Sequence, residues 1–177
     1  RRLVSLIVVL LIVGGCDSST PVVAPKPTAT AVRAAKSSFV GQAACAPCHE
    51  SETTAWRGSQ HAVAMQPASP ATVLGDFRDT RFTYGDVTST FFRKGERFFV
   101  KTDGPDGALA DFEITFTFGV YPLQQYLVDF PDGRKQALSI AWDAREAAAG
   151  GQRWFHLYPG EHVDYRDPLH WTRLDQN

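Results

Sequence analysis

Residues 111–119 read DFEITFTFG and alternate between apolar and polar side chains at every position up to the final glycine. Successive side chains of a β-strand point to opposite faces of its sheet, so this pattern predicts a strand with one buried face. We expect the apolar set to face the core: Phe112, Ile114, Phe116 and Phe118. The intervening Glu113, Thr115 and Thr117 would then face solvent.

Strand signals continue on both sides of this segment. Residues 89–103, STFFRKGERFFVKTD, place aromatic pairs around Lys94-Gly95-Glu96 and predict a β-hairpin. Residues 124–143 predict two more strands around the turn Pro131-Asp132-Gly133, and residues 152–160 predict a last strand. Together these patterns indicate an antiparallel sheet of roughly five to seven strands.

A different signal lies near the start of the folded region. Residues 45–49 read CAPCH, and the spacing Cys-x-x-Cys-His is the attachment signature of c-type haem. The two thiols of Cys45 and Cys48 would bond the porphyrin, and the ring of His49 would ligate the iron on its proximal side. A structural zinc site needs two further Cys or His ligands at suitable spacing, and no second Cys-x-x-Cys exists. A disulfide with an incidental histidine is the alternative.

The segment after the motif predicts a helix from about Ala44 to about Gly58, because it holds acidic residues early and no proline until Pro67. The expected fold class is therefore α+β. A short haem-binding helix that contains the Cys-x-x-Cys-His motif would precede a mostly antiparallel β-sheet.

His61 is the first candidate for a second axial ligand. It lies 12 residues after His49, which is ~18 Å along a continuous helix. Axial ligands of one iron sit on opposite faces of the ring, so one unbroken helix cannot supply both. Either the chain reverses at Gly58, or His61 ligates a different haem.

Four other side chains belong to residue types that can ligate iron. His156 alternates with Trp154 on one strand face, and His170 follows a proline-marked turn beside Trp171, so both are weaker candidates for iron. His162 stands in a polar loop and is expected to be solvated. Met65 could ligate through sulfur, although methionine near a helix end is usually packed.

The N-terminus predicts export. Residues 1–16 begin with two arginines, continue with an apolar run that is shorter than the ~20 residues needed to span a bilayer, and end in the lipobox Val13-Gly14-Gly15-Cys16. Cys16 would carry a lipid; a cleaved ordinary signal or a short anchor is the alternative. Residues 17–37 have the Ser, Thr, Pro and Ala content of a disordered linker, and residues 38–177 would form the folded domain. A net charge of −1 gives no field that attracts nucleic acid.

Three segments carry a resemblance to a known family: residues 40–65, residues 117–143 and residues 151–172, the last ending in DPLHWT. Together they resemble the N-terminal part of multihaem c-type cytochromes fused to tetratricopeptide repeats, and are similar to the tetrahaem cytochrome domain of nitrifying bacteria. The resemblance implies thioether bonds at Cys45 and Cys48, His49 as proximal ligand, and His61 of Ser59-Gln60-His61 as ligand of a neighbouring haem. Further haem motifs would follow the DPLHWT segment, so a chain ending at Asn177 is expected to be a fragment that lacks the other haems and the repeats.

The expected function is covalent binding of one haem c and electron transfer outside the cytoplasm. The domain would be lipid-anchored at the membrane or periplasmic, and it would exchange electrons with redox partner proteins. An electron carrier is favoured over an enzyme, because no cluster of polar groups marks a substrate site. There are two alternatives. The chain could be part of a catalytic multihaem oxidoreductase that acts on a small nitrogen or sulfur compound, or it could be a non-haem lipoprotein binding module.

Overall fold

Antiparallel β-strands dominate residues 38–173, which are the residues that the computed structural model describes. One α-helix, α1, spans Glu50–Arg57. The nine strands of this part of the chain, β1 to β9, are Met65–Pro67, Thr80–Tyr84, Val87–Lys94, Arg97–Asp103, Leu109–Phe118, Leu123–Asp129, Lys135–Ala137, Ile140–Asp143 and Arg153–His156. The predicted signal sequence, its Cys16 and the predicted linker lie outside the described residues.

The strands form one sheet in the order β2-β3-β4-β5-β6-β8-β9, and every pairing is antiparallel. The short β1 pairs with the end of β5, and β7 pairs with the end of β6. Strands β7 and β8 both border β6 and are separated only by Leu138 and Ser139, so they are two parts of one bent strand. The predicted hairpin over residues 89–103, the paired strands around residues 131–133 and the last strand are confirmed.

The sheet curls until its two end strands meet. The Tyr84 ring on β2 stacks on the His156 ring on β9, with ring centres 3.8 Å apart and an angle of 2° between the planes. The Tyr84 hydroxyl lies 2.7 Å from the carbonyl oxygen of Tyr158 and accepts a hydrogen bond from the Gly160 N–H. The sheet is therefore nearly closed, which removes most of the exposed edge that an open sheet would leave.

Phe77 lies at the centre of the aromatic core although it belongs to no strand. Its ring meets four others edge to face, with ring centres 5.1 to 5.6 Å apart, and those rings belong to Phe91, Phe98, Tyr126 and Trp154. The segment that carries Phe77 is held by buried side chains: Gln124 accepts the Leu74 N–H, and the Tyr126 hydroxyl accepts the Gly75 N–H. A Cβ at Gly75 would stand 2.5 Å from that hydroxyl oxygen, so this close approach requires glycine.

The segment DFEITFTFG is a strand, as predicted, but the prediction of which side chains face the core is wrong for the half that follows Ile114. Pairing between β5 and β6 shifts register between Ile114 and Phe116, which marks a β-bulge. Beyond the bulge the faces exchange, so Thr117 is fully buried and Phe118 is exposed over about half of its surface. An alternating pattern cannot reveal a bulge, because a single extra residue reverses every side chain that follows.

The predicted α+β class is wrong, since the described residues form a mostly antiparallel β fold with a single short helix. The predicted helix also begins too early. Residues Cys45 to His49 form turns, in which the Cys48 and His49 N–H groups both donate to the Cys45 carbonyl, and α1 starts only at Glu50. The break lies at His49, whose φ of −128° and ψ of 51° are outside the helical region, so the turn and α1 do not join into one helix. The predicted C-terminal end near Gly58 is confirmed.

Candidate functional site

Cys45, Cys48 and His49 lie together on one exposed turn. Both cysteines are free thiols rather than partners in a disulfide, and all three residues are exposed. The Cys48 N–H donates to the Cys45 carbonyl oxygen over 3.2 Å, which sets the two cysteines one turn apart. His49 caps α1, and its carbonyl accepts the Thr53 N–H. The turn therefore leaves two thiols and an imidazole exposed to solvent within five consecutive residues.

The N-terminal arm, which we define as residues 38–64, contributes nothing to the sheet's apolar core. Thr53 is its only buried residue, and Phe39, Val40 and Trp56 are all exposed. Helix α1 holds eight residues, and helices of that length are unstable in water without packing. Within the described part of the chain, the arm is therefore a short helix with one buried residue, Thr53, and a half-exposed ring, Trp56.

The arm joins the sheet at its C-terminal end. The Gly119 N–H donates to the Ala64 carbonyl over 2.6 Å, and β1 then pairs Met65 with Phe118. Both of these side chains are about half exposed, so the expectation that Met65 is packed is wrong. The result is an exposed apolar pair where the arm meets the sheet.

His61 is exposed and lies in a 3-10 turn, Gln60–Val63, that follows the end of α1. Helix α1 ends at Arg57, and Gly58 and Ser59 separate it from that turn. His49 and His61 are therefore not held apart by one continuous helix. Both options from the sequence stay open: a shared iron or two different irons.

His170 has a structural role in the interior. It is 3% exposed, its Nε2 lies 3.1 Å from the Asp103 carboxylate, and its Nδ1 lies 2.8 Å from the Thr172 hydroxyl. Ser89 and Thr102 extend this network, and the Thr102 hydroxyl donates to Asp103. Both ring nitrogens of His170 are occupied, so iron ligation through either nitrogen would require breaking the hydrogen bond that it makes.

His156 and His170 line the same small cavity, of about 50 Å³, at the closure of the sheet. No residue of the arm lines it. The Tyr158 N–H donates to His156 Nδ1, and burial lowers the pKa of His156. The structure therefore brings the two weaker ligand candidates together but not with the haem motif. His162 is exposed, as predicted.

Replacing Asp103 with asparagine is expected to lower the free energy of unfolding at pH 6 by about 1–3 kcal/mol, because a charged hydrogen bond in the interior is lost. Burial alone would raise the pKa of Asp103, but the hydrogen bond and charge of His170 outweigh it and leave that pKa below its ordinary value. A depressed pKa stabilises the fold above the unfolded value of about 3.9, and this contribution is lost as the pH falls below that value and through the lower pKa of the folded state.

Urea unfolding of both proteins between pH 6 and pH 3 measures this difference. The gap in unfolding free energy between the native chain and Asp103→Asn should shrink below about pH 4. The other carboxylates are common to both chains and cancel. A gap that stays constant over this range would contradict the assigned Asp103–His170 pair.

Neither a metal cluster nor a membrane-spanning helix is found within residues 38–173. No group of three or more His, Cys, Asp or Glu side chains in this range could hold a metal ion. No helix in the same range is long and apolar enough to cross a membrane.

No family model, no curated protein and no solved structure matches this chain. The resemblance to multihaem cytochromes therefore stays a prediction.

Two polar features of the folded chain have no motif in the sequence, the Asp103–His170 pair and a cleft lined by Arg93 and Trp142. Asp103 and His170 are 67 positions apart, and neither carries a motif that links them. The cleft has no signature in the sequence either, because its wall comes from strands and a loop that are distant in sequence. The weak sequence signal that both features share is a charged residue at the end of a strand, Asp103 on β4 and Arg93 on β3.

Proposed function

We propose that the protein is a c-type cytochrome that binds one haem covalently through Cys45 and Cys48 and transfers electrons. Each thiol would add across one porphyrin vinyl group, so that a C–S bond forms and the thiol hydrogen passes to the other vinyl carbon. His49 would hold the iron as its proximal ligand. When bound, the haem iron supplies the one-electron chemistry.

The observation that carries this proposal is the exposed turn that holds two free thiols and the neighbouring imidazole. The residues present fit the group, because no disulfide consumes the thiols and nothing in the described chain buries them. The motif lies in a turn rather than in a helix, so the proposal does not require the haem-binding helix that the sequence predicted.

The exposed apolar surface of the arm supports the same proposal. Trp56 on α1 is about half exposed, Thr53 is the only buried residue of the helix, and so short a helix needs packing to be stable. A porphyrin attached to the turn offers a large flat apolar surface, and its burial against the arm would supply the missing stabilisation.

The rest of the proposal concerns location and partners, and it rests on the sequence. Residues 1–16 would direct export, Cys16 would carry the lipid, and residues 17–37 would tether the domain outside the cytoplasm. Redox partner proteins would exchange electrons with it there. His61 would be an axial ligand, either of this iron or of the iron of a neighbouring haem.

Visible spectroscopy of the exported protein tests whether it carries electrons or performs catalysis. The protein is produced with a c-type haem maturation system, purified, and examined in the ferric and ferrous states with and without carbon monoxide. An electron carrier with two protein ligands should give a low-spin spectrum that carbon monoxide does not change. A high-spin spectrum that shifts with carbon monoxide would contradict the electron-carrier assignment, since it indicates an open iron position.

A further inference from the structure

The β-bulge in β5 turns two phenylalanines to the outside of the sheet. Before the bulge, the outer face of this strand carries the charged Asp111 and Glu113. Beyond the bulge Thr117 is fully buried, so its neighbours Phe116 and Phe118 lie on the outer face. Bulges often redirect side chains beside functional sites. The outer face of β5 therefore changes from charged to apolar at this point.

Neighbouring strands extend this apolar surface. The outer patch, as we define it, consists of five residues that the sheet register places on one face: Met65 and Pro67 of β1, Phe116 and Phe118 of β5, and Leu127 of β6. Met65 and Phe118 pair directly, and each is 48% exposed. A contiguous exposed apolar surface marks a ligand or interaction site, whereas single exposed apolar residues are ordinary.

The arm that would carry the haem is fastened at the edge of the outer patch. The Ala64 carbonyl accepts the Gly119 N–H, and Met65, the next residue, is already part of the patch. Between the haem motif and β1 the chain forms only α1, about 12 Å long, and one 3-10 turn. A group bonded to the motif is therefore held near the patch by a short tether, which gives an effective concentration on the order of millimolar.

The arm and the outer patch both expose apolar surface that one bonded porphyrin would bury. Helix α1 is too short to be stable without packing, and its Trp56 is about half exposed. Axial ligands occupy the two faces of a haem, so its apolar edge is the part that remains to be covered. Enclosing that edge between the arm and the patch would remove apolar surface of both from water.

We propose that the outer patch is the surface on which the haem edge packs, so that the haem is enclosed between the arm and the outside of the sheet. This inference rests on the proposed haem attachment. Phe118 would be a positioning residue, because its side chain has no atom that can ligate iron. Its contact with the porphyrin edge would hold the arm against the sheet.

Tryptic cleavage after Arg57 in the haem-loaded protein tests this proposal, because an arm packed on the sheet is cleaved slowly. Phe118→Ser should raise the rate by at least about fivefold, since it removes an exposed ring of the patch. Phe118→Leu keeps an apolar side chain and should leave the rate close to that of the unaltered protein. Leu109→Ser is the matched control, because Leu109 is 51% exposed on the same strand but lies opposite Asp103 rather than β1. It should not change the rate.

The intact mass of each variant establishes that the haem is attached, and equal cleavage after Arg97 establishes that the sheet is folded. In the haem-free chain, Phe118→Ser should not change cleavage after Arg57. Three results would overturn the proposal. The first is a haem-loaded Phe118→Ser protein that is cleaved no faster than the unaltered one, which would leave haem attachment itself intact. The second is a haem-loaded dimer on size-exclusion chromatography that Phe118→Ser dissociates, which would assign the patch to a second copy of the chain. The third is the absence of attached haem, which would remove the proposed function as well.

Discussion

Replacing both Cys45 and Cys48 with serine is expected to abolish covalent haem and to raise the rate of tryptic cleavage after Arg57 by about tenfold or more. The first effect follows because thioether bonds need the sulfur atoms. The second follows because the arm has no apolar core of its own, so its helix would depend on the haem for packing. Arg57 is the only tryptic site between residues 38 and 64, and it is exposed.

Haem staining of the denatured protein and mass spectrometry of the tryptic fragments measure both effects on one sample. Cys16→Ser is the matched control: the proposed anchor would be lost, but haem attachment and the cleavage rate should not change. Cleavage within the sheet, for example after Arg97 on β4, should proceed equally in all three proteins. Equal rates of cleavage after Arg57 in the double variant and in the unaltered protein would show that the haem does not stabilise the arm.

Replacing Phe77 with alanine is expected to lower the free energy of unfolding by about 3–5 kcal/mol, which is the usual cost of removing a buried aromatic ring. Phe77 is 4% exposed and meets four core rings edge to face. Its loop is fixed by hydrogen bonds that the Leu74 and Gly75 N–H groups donate to Gln124 and Tyr126, so the surrounding structure cannot easily collapse into the space. Urea unfolding followed by far-ultraviolet circular dichroism measures the loss.

The control for this substitution is Phe118→Ala, which removes the same ring from an exposed position on β5. It should cost less than about 1 kcal/mol, the span of strand propensities. Equal losses for the two variants would contradict the assignment of Phe77 to the core and of Phe118 to the surface.

The sheet was largely predictable because its signals are local. Alternation in residues 111–119 and the turn residues around Gly95 and Gly133 each predict structure from a few neighbouring residues. The bulge beyond Ile114 was not predictable, since it depends on how β5 and β6 pair. Phe118 was assigned to the wrong face for this reason.

The two end strands show the same limit on a larger scale. The closure of the sheet depends on a stack between Tyr84 and His156, two residues that are distant in sequence, and only the folded chain brings them together. The fold class was wrong for a related reason. The helix expected to contain the haem motif is confined to residues after His49, so a motif that usually implies a helix stands here in a turn beside a β fold.

The candidate site was predictable in its residues and not in its surroundings. The spacing of Cys45, Cys48 and His49 identifies them from the sequence alone. The exposure of these three residues depends on tertiary structure, which a single sequence does not show. The hydrogen bonds from His170 to Asp103 and Thr172 also depend on tertiary contacts.

The mass of the intact, denatured protein, produced with a c-type haem maturation system, is the most direct test of the central claim. The account predicts a mass higher than that of the polypeptide by one haem. The reduced pyridine adduct should give the visible band of a haem with both vinyl groups saturated. A protein that emerges from that system at the mass of the polypeptide alone would contradict haem attachment at Cys45 and Cys48.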